Sequence, residues 1–529
     1  MTGCILELAT NGDESYQNEW GGKMNQGMFK LVYSKVLNIY VPVSEAVNSR
    51  GAKSAKRRVR KHANSAMLSF IIVFFYQGNV FADSPAGLIP GTKAWVNAVM
   101  SNVTRNSMTI RQTAPKAILD WRKLNLIEGE TLNFDQQGNR NWSALNRISD
   151  LRPSIIDGIV NAHGNVYFIN TNGIIFGKNS QFNVGSIYAG TLDITDNLFN
   201  DGILSNNFKP VFEGVGGFVT VESGALITTA NGGKVMLFAP TVTNNGIITT
   251  PEGQTILAAG NKVYLQASAD PAGFLVEVDS GGTATNLGKI VAERGNITMM
   301  GLAVNQSGTL SATTSVRANG SIRLLAQDKA VEQSGLAPIG TRNGLVTFTK
   351  GSITEVRPET ENKEEAIATQ KFNISKITIE ASLINIDGTI RAKNGNVTAN
   401  TIKNELAASS LLNSQISNRI FLGENALIDV SGVDAIAPMS RNQLEIELFS
   451  DQLKDAPILR DSGLFKGTVF VDARKGTKLF DIQPFLDLKG VTAAEKMTKA
   501  GSVNLISPND VIVSKGAVIN VSGGSTKYT

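Results

Sequence analysis

The sequence predicts an all-β chain wound into a right-handed parallel β-helix, a solenoid with about 20 residues per coil. Three observations favour this fold. Short apolar runs alternate with Asn and Gly, glycine-led segments recur at a regular spacing, and the 529 residues include 51 glycines. Charged residues make up only 18% of the chain, which suits many turns and fits disorder poorly. We also expect an N-terminal cap and extra-helical inserts.

Residues 1–82 read as a leader. Residues 50–61 are rich in Lys and Arg, and residues 66–76 form a short apolar core. A membrane-spanning helix needs roughly 20 apolar residues, so this shorter core behind a basic run is typical of a secretory signal. Val80 and Ala82 occupy the −3 and −1 positions of a cleavage site. Cleavage after Ala82 would make Asp83 the first residue of the exported chain.

The leader is also unusually long. Residues 24–47 resemble the extended signal-peptide region of many large exported exoproteins, with Met24-Asn25 at the start and Val43-Ser44-Glu45 near the end. We therefore interpret residues 24–82 as an extended signal peptide. Residues 1–23 have no counterpart in that family. We therefore expect residues 1–23 to be an over-extended start of the reading frame and Met24 to be the better start.

A glycine-led repeat appears from residue 240 onward. Gly246, Gly288, Gly308 and Gly388 each open a copy, and the intervals between them lie close to multiples of about 20 residues. Apolar residues alternate within each copy, which places them on one face of a strand. We interpret the period as one coil of two or three strands that buries its apolar face only by stacking on its neighbours. An up-and-down barrel would give no reason for the glycine period.

Asparagines and inserts complete this interpretation. Asn244 and Asn286 are expected to stack as a corner ladder between coils. Two segments lack the repeat and are predicted as inserts, one near 355–372 and one at 434–500, the latter with a helical piece at 493–499. Residues 501–524 restore the pattern, and the chain then stops without a polar capping repeat, which favours a truncated chain.

Charge and cysteine content limit the function classes. The chain has 50 basic and 45 acidic residues. The leader holds ten and five of these, so the exported part is formally neutral and a broad nucleic-acid-binding surface is unsupported. The single cysteine, Cys4, precedes the expected start. A chain free of cysteine is suited to crossing a pore unfolded, because no disulfide can close a loop in it.

Residues 158–194 contain the most specific motif. Two short apolar runs flank an Asn-Thr-Asn-Gly break, and Asn and Gly both tolerate the left-handed backbone that a tight corner needs. The motif consists of Asn170, Thr171, Asn172, Gly173 and Ile174. We expect Asn172 to adopt a left-handed conformation and to supply local side-chain hydrogen bonds. On this basis Asn172→Ala should impair the motif more than it lowers overall stability.

This motif resembles the Asn-Pro-Asn-Gly-Ile region of filamentous-haemagglutinin-like exoproteins, which are exported by two-partner secretion. Thr171 stands where that family usually has proline. Matching segments occur at Ile118-Leu119-Asp120-Trp121, Leu124-Asn125-Leu126, residues 129–134, Ala144-Leu145-Asn146-Arg147 and residues 189–194. Leu124 departs from the family's usual aromatic residue, and Gln137 from a frequent proline. We interpret Trp121 as a core residue.

The resemblance implies a domain organisation and a function. Residues 83–330 would form the two-partner-secretion (haemagglutination activity) domain, and residues 331–529 would continue the β-helix. The implied partner is a dedicated outer-membrane transporter that uses its periplasmic POTRA domains. The exported protein would act at the cell surface or in the medium as an adhesin for a host-cell or bacterial receptor, with a glycan among the candidates. The alternative is the N-terminal delivery stalk of a contact-dependent inhibition toxin.

The residues give little support for an enzyme. β-Helical polysaccharide-active enzymes gather Asp and Glu on one face, with Ca²⁺ or a basic residue to handle charge. This sequence shows no D-x-D array, nucleophile elbow or phosphate-binding loop. His163 is the only histidine beyond the leader, and it is expected in a turn or on the surface. We predict no enzyme, no cofactor and no metal, and a polysaccharide-active β-helix is the less favoured alternative.

Overall fold

The computed structural model describes residues 29–34, 39–44, 85–205, 208–269, 272–367, 374–401, 418–478 and 480–529. The chain divides into two units, residues 1–71 and 72–529. In the first unit, strands Phe29–Ser34 and Ile39–Ser44 form an antiparallel hairpin. The predicted apolar core of the leader and the cleavage site at Ala82 and Asp83 lie outside the described residues.

Three long sheets build the second unit, and we call them sheets A, B and C. Sheet A has 13 strands: Ala98–Thr104, Ser107–Gln112, Thr131–Asp135, Ile159–Ala162, Gln181–Val184, Leu226–Thr229, Ile247–Thr249, Lys289–Ala292, Thr309–Thr314, Ile353–Pro358, Thr389–Ala392, Leu427–Asp429 and Val518–Asn520. Sheet B has 12 strands: Leu88–Pro90, Lys116–Leu124, Ser143–Ile148, Asn165–Asn170, Ser186–Gly190, Lys234–Ala239, Gln254–Ala259, Asn296–Gly301, Ser321–Ala326, Lys376–Glu380, Asn396–Asn400 and Ser502–Ile506. Sheet C has 10 strands: Ser154–Ile156, Ile174–Phe176, Phe218–Val221, Thr241–Asn244, Thr283–Asn286, Ala303–Gln306, Leu345–Phe348, Leu383–Ile386, Arg419–Leu422 and Asp510–Val513.

A complete coil contributes one strand to each sheet, and successive complete coils pair in parallel. Lys234 lies opposite Gln254, and Asn165 lies opposite Ser186. These partners are separated by the length of one short coil, about 20 residues. The parallel β-helix and its period are therefore confirmed. The right-handed sense stays a prediction, and it is the sense that strand twist favours for parallel crossovers.

The length of a wide glycine interval does not give the number of coils within it. This corrects the interpretation of the intervals as multiples of one coil length. Ile247 pairs directly with Lys289, so the wide interval from Gly246 to Gly288 is a single coil. The antiparallel hairpin of Lys262–Ala269 and Ala272–Asp279 accounts for its extra length. The interval from Gly308 to Gly388 likewise holds only two coil steps, since strand Ile353–Pro358 pairs with a strand on either side. Loops inserted at corners lengthen a coil without disturbing its register, because the entropy of loop closure grows slowly with length.

Inward-facing alternate residues from the three sheets form one continuous apolar core. Buried amides support its corners. The Asn244 Nδ2 donates to Asn286 Oδ1 at 2.8 Å, and Asn286 Nδ2 donates to Gln306 Oε1 at 2.9 Å. The predicted corner ladder is thus confirmed and reaches one coil further than expected. Each amide bonds the next, which offsets the cost of removing these polar groups from water.

A second layer covers the outer face of sheet B, so several of its strands are buried on both faces. All six residues of Gln254–Ala259 are buried. The covering elements are the helix Asp196–Asp201, the three-stranded antiparallel sheet of Phe212–Glu213, Lys262–Ala269 and Ala272–Asp279, and the hairpin of Lys329–Gln333 with Leu336–Thr341. The helix and the three-stranded sheet share a second apolar cluster with the outward residues of sheet B, whereas the hairpin packs beside strand Ala272–Asp279. The helix was not anticipated from the sequence; Thr195 caps it by accepting from Leu198 N.

Two inserts leave the solenoid and meet each other. The first follows strand Ile353–Pro358. The second lies within residues 434–500 and includes a helix at Ala493–Lys496. Its elements are strands Ala435–Ala437, Gln443–Glu447, Thr468–Asp472 and Gly490–Thr492, helices Asp451–Asp455, Pro457–Asp461, Gln483–Asp487 and Ala493–Lys496, and the 3₁₀ helix Met439–Asn442. Strand Glu365–Ile367 of the first insert pairs antiparallel with Gly490–Thr492, and the last strand of the chain, Thr526–Tyr528, pairs with Ala435–Ala437.

Antiparallel strands form the expected N-terminal cap. Ala98–Thr104 pairs antiparallel with Ser107–Gln112, and Leu88–Pro90 pairs antiparallel with Lys116–Leu124. From there onward sheets A and B are parallel. Among the described residues, no helix is both long enough and apolar enough to cross a membrane.

Candidate functional site

The Asn-Thr-Asn-Gly-Ile motif forms the corner between sheets B and C. Strand Asn165–Asn170 ends at the motif, and strand Ile174–Phe176 begins where it finishes. Gly173 N donates to Asn170 O at 3.0 Å, which closes a four-residue β-turn. Gly173 has a φ of +131°, and a residue with a Cβ would be strained at this φ. Ile174 is fully buried in the main core.

Asn170 holds this corner together. Its side chain is fully buried. Its Nδ2 donates to Arg152 O and to Ser154 Oγ, both at 3.0 Å, and its Oδ1 accepts from Asn172 N at 3.0 Å. The amide therefore joins the motif to the preceding corner of the same sheet pair and also forms an Asx turn.

Asn172 plays a different part from the one the sequence predicted. Its φ is negative, and Gly173 alone in this turn has the positive φ, so the expected left-handed Asn172 was wrong. The physical reason is that glycine adopts such a φ without a steric penalty. The Asn172 side chain makes a long-range bond instead, from Nδ2 to Asp150 O at 2.9 Å. The local bond that was assigned to Asn172 belongs to Asn170.

The preceding corner, residues 150–154, is the partner that sequence reasoning missed. It supplies the Asp150, Arg152 and Ser154 acceptors for the two asparagines. Pro153 lies against Gly173 as well, since a Cβ on this glycine would meet the proline Cβ at 3.3 Å. The Asp-Leu-Arg-Pro-Ser sequence is a turn signal, but nothing local shows which later corner it contacts.

Two other segments that resemble the family lie in strands of sheet B, close to the strand that leads to the motif. Trp121 is fully buried, as expected of a core residue, and its Nε1 donates to Asn146 Oδ1 at 2.9 Å. Asn146 Nδ2 then donates to Tyr167 O at 3.0 Å. Tyr167 lies in the strand that leads to the motif, so these contacts run across three neighbouring strands of sheet B.

Arg147 links sheet B to the segment after residue 190. Its Nε lies 2.9 Å from Asp193 Oδ1, and it also contacts Asp196 and the Ile194 carbonyl. Desolvation by burial lowers the pKa of Arg147, but the hydrogen bonds to the two aspartates outweigh it and leave this pKa raised. The guanidinium is therefore charged at every physiological pH.

The cover over this strand is aromatic. The rings of Tyr167 and Tyr188 stack with centroids 4.3 Å apart, and burial raises the pKa of both phenols. Gly190 lies under Phe238, and a Cβ on this glycine would come within 2.2 Å of the Phe238 ring. The small residue at position 190 is thus required by close packing of the outer layer.

His163 is exposed at a bend between two strands, as predicted. In the described part of the chain, no group of three or more His, Cys, Asp and Glu side chains is placed to hold a metal ion.

Comparisons with known proteins identify the domain that contains this corner. A profile of the TPS secretion domain matches residues 86–339. The chain carries a TPS secretion domain. A second profile, the Extended Signal Peptide of Type V secretion system, matches residues 24–73 and so begins at Met24. With both segments, the chain is a secreted protein that is exported across the outer membrane.

Similar proteins come from Haemophilus influenzae. The chain is 29% identical over 202 residues to a heme/hemopexin-binding protein, a match that covers 38% of this chain and 21% of that protein. A second heme/hemopexin-binding protein is 29% identical over 128 residues, or 24% of this chain and 14% of the relative. The chain thus matches about a fifth or less of these relatives' length. The crystal structure of the HMW1 secretion domain aligns with a TM-score of 0.47 and 24% identity, over 66% of this chain and 87% of that one.

Proposed function

We propose that this protein is an adhesin delivered to the cell surface or the medium by a dedicated outer-membrane transporter. The TPS secretion domain at residues 86–339 supports the export route. The observation that supports adhesion is the lobe formed by residues 434–500. It exposes large apolar side chains, including Phe449, Phe470 and Ile458 at 63%, 62% and 85%. Exposed apolar surface of this kind is typical of protein contact sites.

The motif corner is proposed as part of the signal that the transporter recognises. Asn170, Thr171, Asn172, Gly173 and Ile174 form a turn that is bonded to the preceding corner, and Thr171 is its exposed residue. A chain that folds coil by coil outside the cell would form this corner early, and its folding would resist return to the periplasm. The signal cleavage after Ala82 belongs to the same proposal.

The free edge of the N-terminal cap is a candidate contact for POTRA domains. Strand Ala98–Thr104 lies at one end of sheet A and has a strand partner on one side only among the described residues. Val99 on this strand is 52% exposed. An edge of this kind can accept an added strand, with backbone hydrogen bonds giving affinity.

A non-enzymatic role is part of the proposal. The relatives are known as heme/hemopexin-binding proteins, not as enzymes. Binding of heme or hemopexin by the present chain is not proposed, because the matched segments cover so little of those relatives.

Two experiments test the proposal. The chain would be co-expressed with a candidate outer-membrane transporter of the two-partner type, and protein in the medium compared with protein left in the periplasm. Beads coated with the secreted chain would then be incubated with epithelial cells and with bacteria, with albumin-coated beads as the control. Transporter-dependent secretion with no binding above the albumin control would refute the adhesin role and leave the export route intact.

A further inference from the structure

A groove of about 420 Å³ lies on the outer face of sheet A, outside the TPS secretion domain. Its floor is formed by the end of strand Ile353–Pro358 and by residues 391–393 on the next coil. Residues 432–434, which follow strand Leu427–Asp429, form its wall. Three cations and two carboxylates line it: Arg357, Arg391, Lys393, Glu355 and Asp434.

The parallel register places the charges of the floor in rows. Glu355 pairs with Arg391, and Arg391 pairs with Asp429 on the following coil. Arg357 Nε lies 3.2 Å from Glu355 Oε1, and Arg391 Nη1 lies 4.0 Å from Glu355 Oε2. Two guanidinium groups therefore share one carboxylate, and the pair with Arg391 is longer than a direct hydrogen bond. Both arginine side chains remain well exposed, at 57% and 43%.

The lysine of the groove already has its counter-charge. Lys393 Nζ lies 2.8 Å from Asp429 Oδ2 and donates to Ser431 Oγ at 2.6 Å. Asp429 Oδ1 accepts from Ser431 N and Ser431 Oγ, at 3.0 and 2.7 Å. Lys393 is thus neutralised within the protein, and the surplus positive charge sits at Arg357 and Arg391.

The wall offers an acceptor and an apolar side. Asp434 Oδ1 accepts from Ser525 N and Ser525 Oγ, both at 2.8 Å, which fixes the carboxylate at the rim. Both bonds fall on Oδ1, so this exposed residue keeps Oδ2 as an acceptor for hydroxyl groups. Pro358 and Val433 also line the groove and are partly exposed. Arginine recognises carboxylates through paired donors, and an ionised carboxylate accepts from hydroxyls.

We propose that this groove binds a compact acidic sugar of the hexuronic acid class. The carboxylate of the sugar pairs with Arg357 and Arg391, the ring rests on Pro358 and Val433, and ring hydroxyls donate to Asp434. The inference deepens the proposed adhesin function by naming a ligand class. Its test uses a free sugar and purified protein, whereas adhesion is measured on cells, so either can fail alone.

The test is titration of the secreted chain with D-glucuronate, followed by ligand-observed NMR. D-glucuronamide is the matched control ligand, because it keeps the ring and replaces the carboxylate by a neutral amide. Glucuronate should bind about tenfold or more tightly than the amide, as expected for the loss of one charge-assisted contact. Binding should weaken as salt rises, since the site is partly exposed.

Variants locate the binding. Arg391→Gln should weaken glucuronate binding about tenfold, and Asp434→Asn should weaken the binding of both glucuronate and glucuronamide. The control is Arg419→Gln on sheet C, where Arg419 is 46% exposed and pairs with Asp510 at 3.7 Å. A circular dichroism spectrum unchanged from the parent shows that each variant is folded. The proposal is overturned by equal binding of glucuronate and glucuronamide, by undetectable glucuronate binding, or by an Arg419→Gln effect as large as that of Arg391→Gln.

Discussion

Arg147 and Asp193 form an ion pair at 2.9 Å, although they lie far apart in the sequence. Arg147 lies on a strand of sheet B, and Asp193 begins the segment that leads to the helix Asp196–Asp201. Both residues belong to segments that the sequence alone singled out. The segment that contains Arg147 provides a strand of sheet B. The segment that contains Asp193 belongs to the outer layer over this sheet, and the ion pair connects the two.

The ion pair should hold the outer layer locally. Arg147→Gln and Asp193→Asn should each speed amide hydrogen exchange in residues 191–201, and the double variant should add little to either. Because the side chains are 25% and 50% exposed, the coupling free energy should be about 0.5–1 kcal/mol. A local measurement is needed, since long repeat arrays depart from two-state unfolding. Strictly additive effects would show that the pair contributes nothing.

Asn170 should matter more than Asn172 for the motif. Asn170→Ala leaves the Arg152 carbonyl, Ser154 Oγ and Asn172 N without their buried partner, which should cost about 1–3 kcal/mol. Asn172→Ala removes one half-buried bond, to Asp150 O, and should cost about 0.5–1.5 kcal/mol. In co-expression with the transporter, secretion should fall further for the first variant. Asn170→Asp should secrete no better than Asn170→Ala, because a buried carboxylate oxygen would replace Nδ2 and face the Arg152 carbonyl. Equal secretion of all three variants and the parent would make this corner purely structural.

Thr171→Pro should leave secretion unchanged or raise it. Thr171 is exposed and is the second residue of the turn that Asn170 O and Gly173 N close. Proline favours that position, and Asn170 before it ends a strand and is already extended. Proline restricts the conformations of the unfolded chain, which should raise the free energy of unfolding by about 0.4–1 kcal/mol. Amide hydrogen exchange of residues 170–176 in the secreted variant, compared with Thr171→Ala, measures this local gain. Faster exchange than in the alanine variant would contradict it.

Acid should loosen the start of the first insert. Arg294 Nη2 lies 2.8 Å from Glu359 Oε2, and Thr313 Oγ1 donates to Glu359 as well. Burial raises the pKa of Glu359, but these hydrogen bonds outweigh it and leave the pKa lowered. Because the pKa of Glu359 is lower in the folded chain, this carboxylate stabilises the fold fully at a pH above the unfolded-state pKa of about 4.3. The contribution is lost as the pH falls through the folded-state pKa.

Hydrogen exchange of residues 359–367 should therefore accelerate as pH falls below about 4, after correction for the intrinsic exchange rate. Arg294→Gln should remove most of this pH dependence. A pH response that is the same in the parent and the variant would assign the effect to other carboxylates.

Secreted protein should begin at Asp83. The basic run and the apolar core of residues 66–76 precede Val80 and Ala82 at the −3 and −1 positions. N-terminal sequencing of protein from the medium reads the start directly. Ala82→Arg, which places a large charged residue at −1, should prevent this cleavage. A mature start far from residue 83 in the parent would disprove the assignment.

The sequence by itself determined the strands, their buried faces and the corner ladder, because these depend on local alternation and on residue type. Asn244 and Asn286 were predicted to stack and do so. Only the tertiary structure decided which coils are neighbours, since a hairpin inserted at a corner changes the spacing and leaves the register intact. The same holds for the motif: sequence located the turn, but the buried bonds of Asn170 come from the earlier corner at Arg152 and Ser154. No local pattern encodes such a contact, because stacking of one coil on the next creates it.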